Sequence, residues 1–183
     1  MLASCGHLTM NETCLKYAVL ASAVVILGAC AHEPPPPPSP CTTPEPIRIS
    51  LTASPRLNPG ENGESLATTV RIYQLKDTGK LIETTLDRIL DGDRAVLADD
   101  FISVQELTLY PGERAAPVMV RGEGATNVAV VALFRRPNGP SWRAIRKLPP
   151  PNPQHCHGTV ATPAALAASQ LAFTLEDSRI DMR

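Results

Sequence analysis

The sequence predicts an all-β protein, a β-sandwich of seven or eight strands with one short inserted helix. Two observations support this fold class. The chain has 183 residues, of which 19 are proline and only 4% are aromatic, and proline interrupts helix interiors and central strands. It also contains a series of strand-length segments that are separated by turn-forming residues. The length fits one domain at residues 47–183, preceded by a targeting segment.

The first elements follow from the spacing of apolar residues. Residues 47–53 and 68–75 alternate apolar and polar positions, which predicts two half-buried strands. The stretch from Pro55 to Ser65 is dense in turn formers and is predicted to be the loop between them. Residues 81–90 have apolar positions at helical spacing, so we expect one short helix that ends at Asp91-Gly92.

The remaining strands are predicted after this helix. Segments of strand character occupy residues 102–110, 116–120, 127–134, 141–148 and 169–175. Val128 to Leu133 is a continuous apolar run, which is typical of a central strand buried on both faces. Trp142 is expected to fill volume in or over the core, although a partner-binding role is the alternative.

The N-terminal segment carries targeting information. Residues 17–29 form a charge-free apolar run that is too short to cross a ~30 Å hydrocarbon core comfortably as a helix. We interpret residues 1–29 as a signal peptide. The run ends in Leu27-Gly28-Ala29-Cys30, which resembles the bacterial lipobox, so Cys30 is expected to become a lipidated N-terminus. Whether the chain starts at Met1 or Met10 is left open.

A proline-rich tether is predicted at residues 30–46. Residues 34–38 are five consecutive prolines, which favour extended polyproline II at ~3.1 Å per residue. The tether could therefore hold the domain up to roughly 50 Å from a bilayer. Ala31 rather than Asp follows the cysteine, which in enteric-type lipoproteins implies sorting to the periplasmic face of the outer membrane.

Two of the five cysteines would remain available in the domain. Cys5 and Cys14 would leave with the leader and Cys30 would carry lipid, so Cys41 and Cys156 remain. An even pair in an oxidising compartment suggests a disulfide. Two separate thiols are the alternative, because the sequence does not show whether their Cα atoms come within bridging distance.

The sequence contains no motif that predicts catalysis or a cofactor. Gly-x-Ser-x-Gly, a phosphate-binding glycine loop and Cys-x-x-Cys are all missing. His155-Cys156-His157 would place two imidazoles on one strand face, but a third ligand is not identifiable, so no metal site is expected. The net charge of −1 argues against nucleic acid as a partner.

Four stretches of the chain resemble one family, the outer-membrane lipoprotein TssJ of type VI secretion systems. The most specific is Leu57-Asn-Pro-Gly-Glu-Asn-Gly63, which leads into Val70-Arg-Ile-Tyr-Gln-Leu-Lys76. Residues 107–113, residues 128–135 and Trp142-Arg143 add to the resemblance, as does the lipobox. Together these stretches span most of the chain that would follow Cys30.

The resemblance implies a transthyretin-like β-sandwich with an added helix. It also implies a protein that is attached to the outer membrane by its lipid, binds the periplasmic part of TssM and helps to anchor the trans-envelope complex. The first inter-strand loop of the family contributes to TssM binding. Here that loop corresponds to Arg56, Leu57, Asn58, Pro59, Gly60, Glu61, Asn62, Gly63 and Glu64.

One rival function remains from the sequence. A lipid-anchored periplasmic carrier would hold a small ligand in the β-sandwich, and it would need a sizeable closed apolar pocket. The low aromatic content of 4% argues against such a pocket. No small-molecule substrate is therefore expected.

Overall fold

The computed structural model describes residues 46–151 and 170–182. Strands dominate these ranges, and a pair of helices follows the second strand. The strands are β1 (Pro46–Ala53), β2 (Thr68–Leu75), β3 (Phe101–Leu109), β4 (Arg114–Ala115), β5 (Val118–Val120), β6 (Asn127–Ala132), β7 (Arg143–Lys147), β8 (Leu171–Glu176) and β9 (Arg179–Met182). The helices are α1 (Gly79–Glu83) and α2 (Leu86–Leu97), with 3-10 turns at Ala98–Asp100 and Gly139–Trp142.

The strands form two sheets. One sheet has the order β3-β2-β6-β7, and all of its neighbours are antiparallel. The other has the order β4-β1-β8-β9, with β5 also paired to β1. In this second sheet β1 and β8 are parallel, whereas β1 is antiparallel to β4 and to β5. The predicted all-β sandwich is confirmed.

Strand β6 is central, as its apolar run predicts. Every residue from Val128 to Ala132 is buried, because β2 and β7 flank the strand and both faces of the sheet are covered. On β2, Ile72 and Tyr73 point to opposite faces, and both are fully buried. The Tyr73 hydroxyl donates a hydrogen bond to Asp93 Oδ2 of α2 at 2.9 Å. The helices therefore cover the face of this sheet on which Tyr73 lies.

The helical region extends beyond the predicted segment. α2 continues past Asp91-Gly92 to Leu97, although the backbone of Gly92 leaves the helical region at φ 176° and ψ 78°. The chain resumes its helical course after this interruption, and Leu97 is fully buried. The hydrogen bond from Tyr73 to Asp93 holds the resumed turn against the sheet. Apolar spacing alone did not predict this second part of the helix.

All seven predicted strands are present, and two short strands add to them. β4 has two residues and β9 has four, and both complete the second sheet. Trp142 is 4% exposed, which confirms its expected place in the core. Within residues 46–151 and 170–182, no helix is long and apolar enough to span a bilayer.

Several expectations concern residues outside the described ranges. These are the signal peptide, the lipidated Cys30, the tether before Pro46, the Cys41–Cys156 pair and the His155-Cys156-His157 segment. They remain predictions.

Candidate functional site

Three connecting segments meet at one end of the sandwich. Residues 54–67 follow the end of β1, residues 133–142 join β6 to β7, and Asp177-Ser178 joins β8 to β9. The register brings them together, because Ala53 pairs with Leu175 and Val70 pairs with Ala132. We call these three segments the loop end.

Main-chain hydrogen bonds join the segments of the loop end. The Asn58 N–H donates to the Asp177 carbonyl at 2.6 Å, and the Asn138 N–H donates to the Ser178 carbonyl at 3.2 Å. The Arg135 N–H donates to the Asn58 side-chain oxygen at 2.8 Å. The loop end is therefore one continuous surface built by both sheets.

The base of the 54–67 loop is buried. Leu57 is 0% exposed and Asn58 is 4% exposed. Asn58 has φ 49°, a left-handed conformation that asparagine tolerates better than most residues. Its side-chain amide donates to the Ala67 carbonyl at 3.2 Å. Buried polar groups need such partners, so Asn58 fixes the base of the loop.

The tip of the loop, residues 61–64, is exposed. The Gly60 N–H donates to the Glu64 carbonyl at 2.8 Å, and the Asn62 N–H donates to Glu64 Oε2 at 3.0 Å. Gly63 has φ 82°, which glycine adopts without steric cost. The tip thus has a hydrogen-bonded backbone and presents its side chains to solvent.

Ion pairs connect the tip to its surroundings. Arg135 Nη2 lies 3.2 Å from Glu61 Oε1, and Arg136 Nη2 lies 3.8 Å from the same oxygen. Arg56 and Asp177 form a further pair at 3.4 Å. All of these side chains are between 44% and 79% exposed. Exposed pairs contribute little to stability, so they can be exchanged for contacts with a partner.

A groove of about 660 Å³ lies beside the tip, between the corner that joins α1 to α2 and the 133–142 segment. Its apolar lining includes Leu86, Leu90, Phe134, Pro140 and Trp142. Its charged lining is Asp87, Arg135 and Arg143. Arg135 therefore contacts both the groove and the loop tip.

Arg143, at the start of β7, forms hydrogen bonds with the corner between α1 and α2 that lines this groove. Its Nη2 donates to the Ile82 carbonyl at 2.7 Å and its Nη1 to the Thr84 carbonyl at 3.3 Å. The guanidinium carbon lies 4.6 Å from the Trp142 ring centroid. Burial lowers the pKa of Arg143 from its ordinary value, because a cation removed from water is disfavoured.

A second, smaller pocket of about 240 Å³ lies at the β8–β9 turn, and its lining is entirely polar or charged. The lining residues are Arg56, Asn138, Glu176, Asp177, Ser178 and Arg179. In the described part of the chain, no three or more His, Cys, Asp or Glu side chains cluster as metal ligands would.

The structure divides the nine loop residues that the sequence singled out. Leu57 and Asn58 belong to the buried base, whereas the other seven are at least partly exposed. Sequence reasoning missed Arg135, Arg136 and Asp177. The arginine pair directly before Pro137-Asn138-Gly139 was an available signal, because charged residues at a turn are exposed.

The chain belongs to the family described as "Type VI secretion lipoprotein, VasD, EvfM, TssJ, VC_A0113", whose sequence profile matches residues 45–175. This range includes residues 54–67 and 133–142 of the loop end but not Asp177-Ser178.

Solved structures have the same fold. The T6SS lipoprotein TssJ1 from Pseudomonas aeruginosa is 23% identical, with a TM-score of 0.62 over 77% of this chain and 96% of that chain. A structure described as "Type VI membrane complex" is 22% identical, with a TM-score of 0.62 over 77% and 99%. One described as "T6SS protein TssM C-terminal domain (869-1107) from EAEC" is 19% identical, with a TM-score of 0.58 over 75% and 97%. Among the curated proteins, none matches the chain.

Proposed function

We propose that this protein is a structural lipoprotein anchored in the outer membrane, which binds the periplasmic part of TssM through the loop end. In this way it helps to anchor the trans-envelope complex of a type VI secretion system. Membership of the type VI secretion lipoprotein family supports the class. The observation that carries the binding role is the loop tip at residues 61–64, exposed on a buried and hydrogen-bonded base.

The direction of β1 supports this role. The strand begins at Pro46, on the side of the predicted tether, and ends at Ala53, where the loop end starts. Seven steps of about 3.3 Å separate its ends by roughly 23 Å. A lipid at Cys30 and a partner at the loop end would therefore act at opposite ends of the strand. Such an arrangement suits a protein that connects a membrane to a complex.

The binding test compares a tip variant with a matched control. Residues 61–64 are replaced by a Gly/Ser sequence of equal length, while Leu57 and Asn58 are kept because they hold the fold. The control is Glu123→Ser, an exposed residue in the turn before β6. Affinity for the periplasmic region of TssM is measured by calorimetry. We expect the tip variant to lose binding and the control to bind like the unmodified protein.

Two results would contradict the proposal. If the unmodified, folded protein does not bind TssM, the anchoring role is wrong. If it binds and the tip variant binds equally well, the partner uses another surface. Circular dichroism of both variants establishes that neither has unfolded.

A further inference from the structure

The groove beside the loop tip is lined by two arginines, Arg135 and Arg143, and by one carboxylate, Asp87. Arg143 forms hydrogen bonds to two carbonyl groups and lies over the Trp142 ring, but it forms no ion pair with a carboxylate of the described residues. Desolvation of this guanidinium is not offset by an opposite charge, and its pKa is lowered as a result. Arg143 is partly exposed, so a carboxylate that enters the groove can reach a guanidinium that pairs with no acid of the described residues.

Two further residues of the groove lack contacts that their side chains would normally have. Thr84 lines the groove, and its hydroxyl is buried without a hydrogen-bond partner among the described residues. Leu90, which also lines the groove, is 43% exposed although it is apolar. A ligand that covers Leu90 would remove this apolar surface from water.

The groove is continuous with the loop tip. Arg135 lines the groove and its Nη2 lies 3.2 Å from Glu61 Oε1 in the tip. Arg135 therefore links the tip to the groove, and a protein that contacts the Glu61–Arg135 pair is next to the groove. A volume of about 660 Å³ has room for two or three side chains of an extended segment.

We propose that this groove receives a segment of the same periplasmic partner that carries an Asp or Glu beside a bulky apolar residue. The carboxylate pairs with Arg143, and Arg135 lies on the same wall. The apolar side chain packs on Leu90. This inference rests on the proposed function and extends the binding surface from the loop tip to the helical corner.

Paired substitutions test the groove in the full-length lipoprotein, purified in detergent, with the periplasmic region of TssM as the probe. Leu90→Asp places a like charge where the partner's carboxylate would enter and removes the apolar contact. Ile82→Asp is the control, because Ile82 is 53% exposed in the neighbouring helix and does not line the groove. We expect Leu90→Asp to weaken binding about 30-fold, as for an interface hot spot, and Ile82→Asp to change it less than about threefold.

A second variant tests the charge separately. Arg143→Gln removes the cation, and its shorter amide can replace at most one of the two hydrogen bonds to the Ile82 and Thr84 carbonyls. We expect binding weakened about 10-fold or more and a smaller loss of affinity on raising the salt concentration. Thermal melting of each variant establishes that it is folded.

The outcomes separate this inference from the function on which it rests. If the unmodified protein does not bind TssM, both are overturned. If it binds, the tip variant fails and both groove variants bind normally, only the groove assignment is wrong. A concentration-dependent dimer that Leu90→Asp abolishes would place a second copy of the chain in the groove and would also overturn the assignment.

Discussion

The single residue Asn58 forms hydrogen bonds with three segments of the chain. Its amide contacts the Ala67 carbonyl, its side-chain oxygen accepts from the Arg135 N–H, and its own N–H donates to the Asp177 carbonyl. An aspartate could accept from Arg135 but could not donate to Ala67. The identity of this residue therefore matters to the fold as well as to the loop.

Asn58→Ala is expected to destabilise the protein by about 2–4 kcal/mol. The substitution removes the two side-chain hydrogen bonds of the buried Asn58, to the Ala67 carbonyl and from the Arg135 N–H, and each is worth about 0.5–1.5 kcal/mol. Alanine also disfavours φ 49°. Urea unfolding measures the change. Asn62→Ala, in the exposed tip, is the control and should stay within about 0.5 kcal/mol; equal stability of the two variants would contradict the role of Asn58.

Tyr73 predicts a dependence of stability on alkaline pH. Burial raises the pKa of its hydroxyl well above the ordinary value, and the hydrogen bond to Asp93 raises it further. In the unfolded chain the hydroxyl loses its proton near pH 10, while in the folded protein it keeps it. The unfolded state then binds fewer protons, so this contribution is fully present below about pH 10 and decreases as pH rises above it.

Tyr73→Phe should remove this part of the pH dependence. At neutral pH the variant should be about 1 kcal/mol less stable, the usual net value of one hydrogen bond. The difference from the unmodified protein should shrink as pH rises above about 10. Denaturant unfolding at several pH values measures it, with Tyr110→Phe as the control because Tyr110 is 60% exposed. A difference that does not vary with pH would show that Tyr73 ionises equally in both states.

At the level of elements, α2 offers two neighbouring residues with opposite environments. Ile89 is 0% exposed and Leu90 is 43% exposed. Ile89→Ala is expected to cost about 2–4 kcal/mol, because it leaves a cavity under the helix. Leu90→Ala should cost less than about 1 kcal/mol. Thermal and urea unfolding compare the two, and equal costs would mean that α2 does not pack on the sheet as described.

Regular elements with one dominant pattern were predictable from the sequence. The bounds of β2 are those predicted, because residues 69–72 alternate polar and apolar positions and the strand pairs on both sides. β4 and β9 were missed because two and four residues carry too little periodicity. α2 was ended too early because Gly92 interrupts its pattern, and the contact with Asp93 that continues it is tertiary.

The candidate site was predictable only in part, for a similar reason. The exposed loop followed from its turn formers, and its proposed role in binding followed from the family resemblance. The groove combines Leu90 of α2 with Phe134 and Trp142 near β7. Residues so far apart in the chain meet only through the strand order, which alternation within single strands does not specify.

At the scale of the whole molecule, the proposed attachment to the membrane depends on Cys30. Cys30→Ser would remove the lipidation site and should leave the protein in the soluble fraction, since no other membrane anchor is proposed. Membrane fractionation measures this, and Cys41→Ser is the control that should remain with the outer membrane. Continued outer-membrane association of Cys30→Ser in the absence of TssM would contradict the lipobox assignment.

The place of β1 in its sheet has a mechanical consequence. Chain tension applied between Pro46 and the 54–67 loop would run along β1, which is flanked by β8 over Ile49–Ala53 and by β4 and β5 on its other edge. The hydrogen bonds of a sheet lie across the strand direction, so this load shears them together instead of opening them one after another. A domain pulled in this direction resists extension with all of these bonds at once, which would suit the anchoring role that we propose.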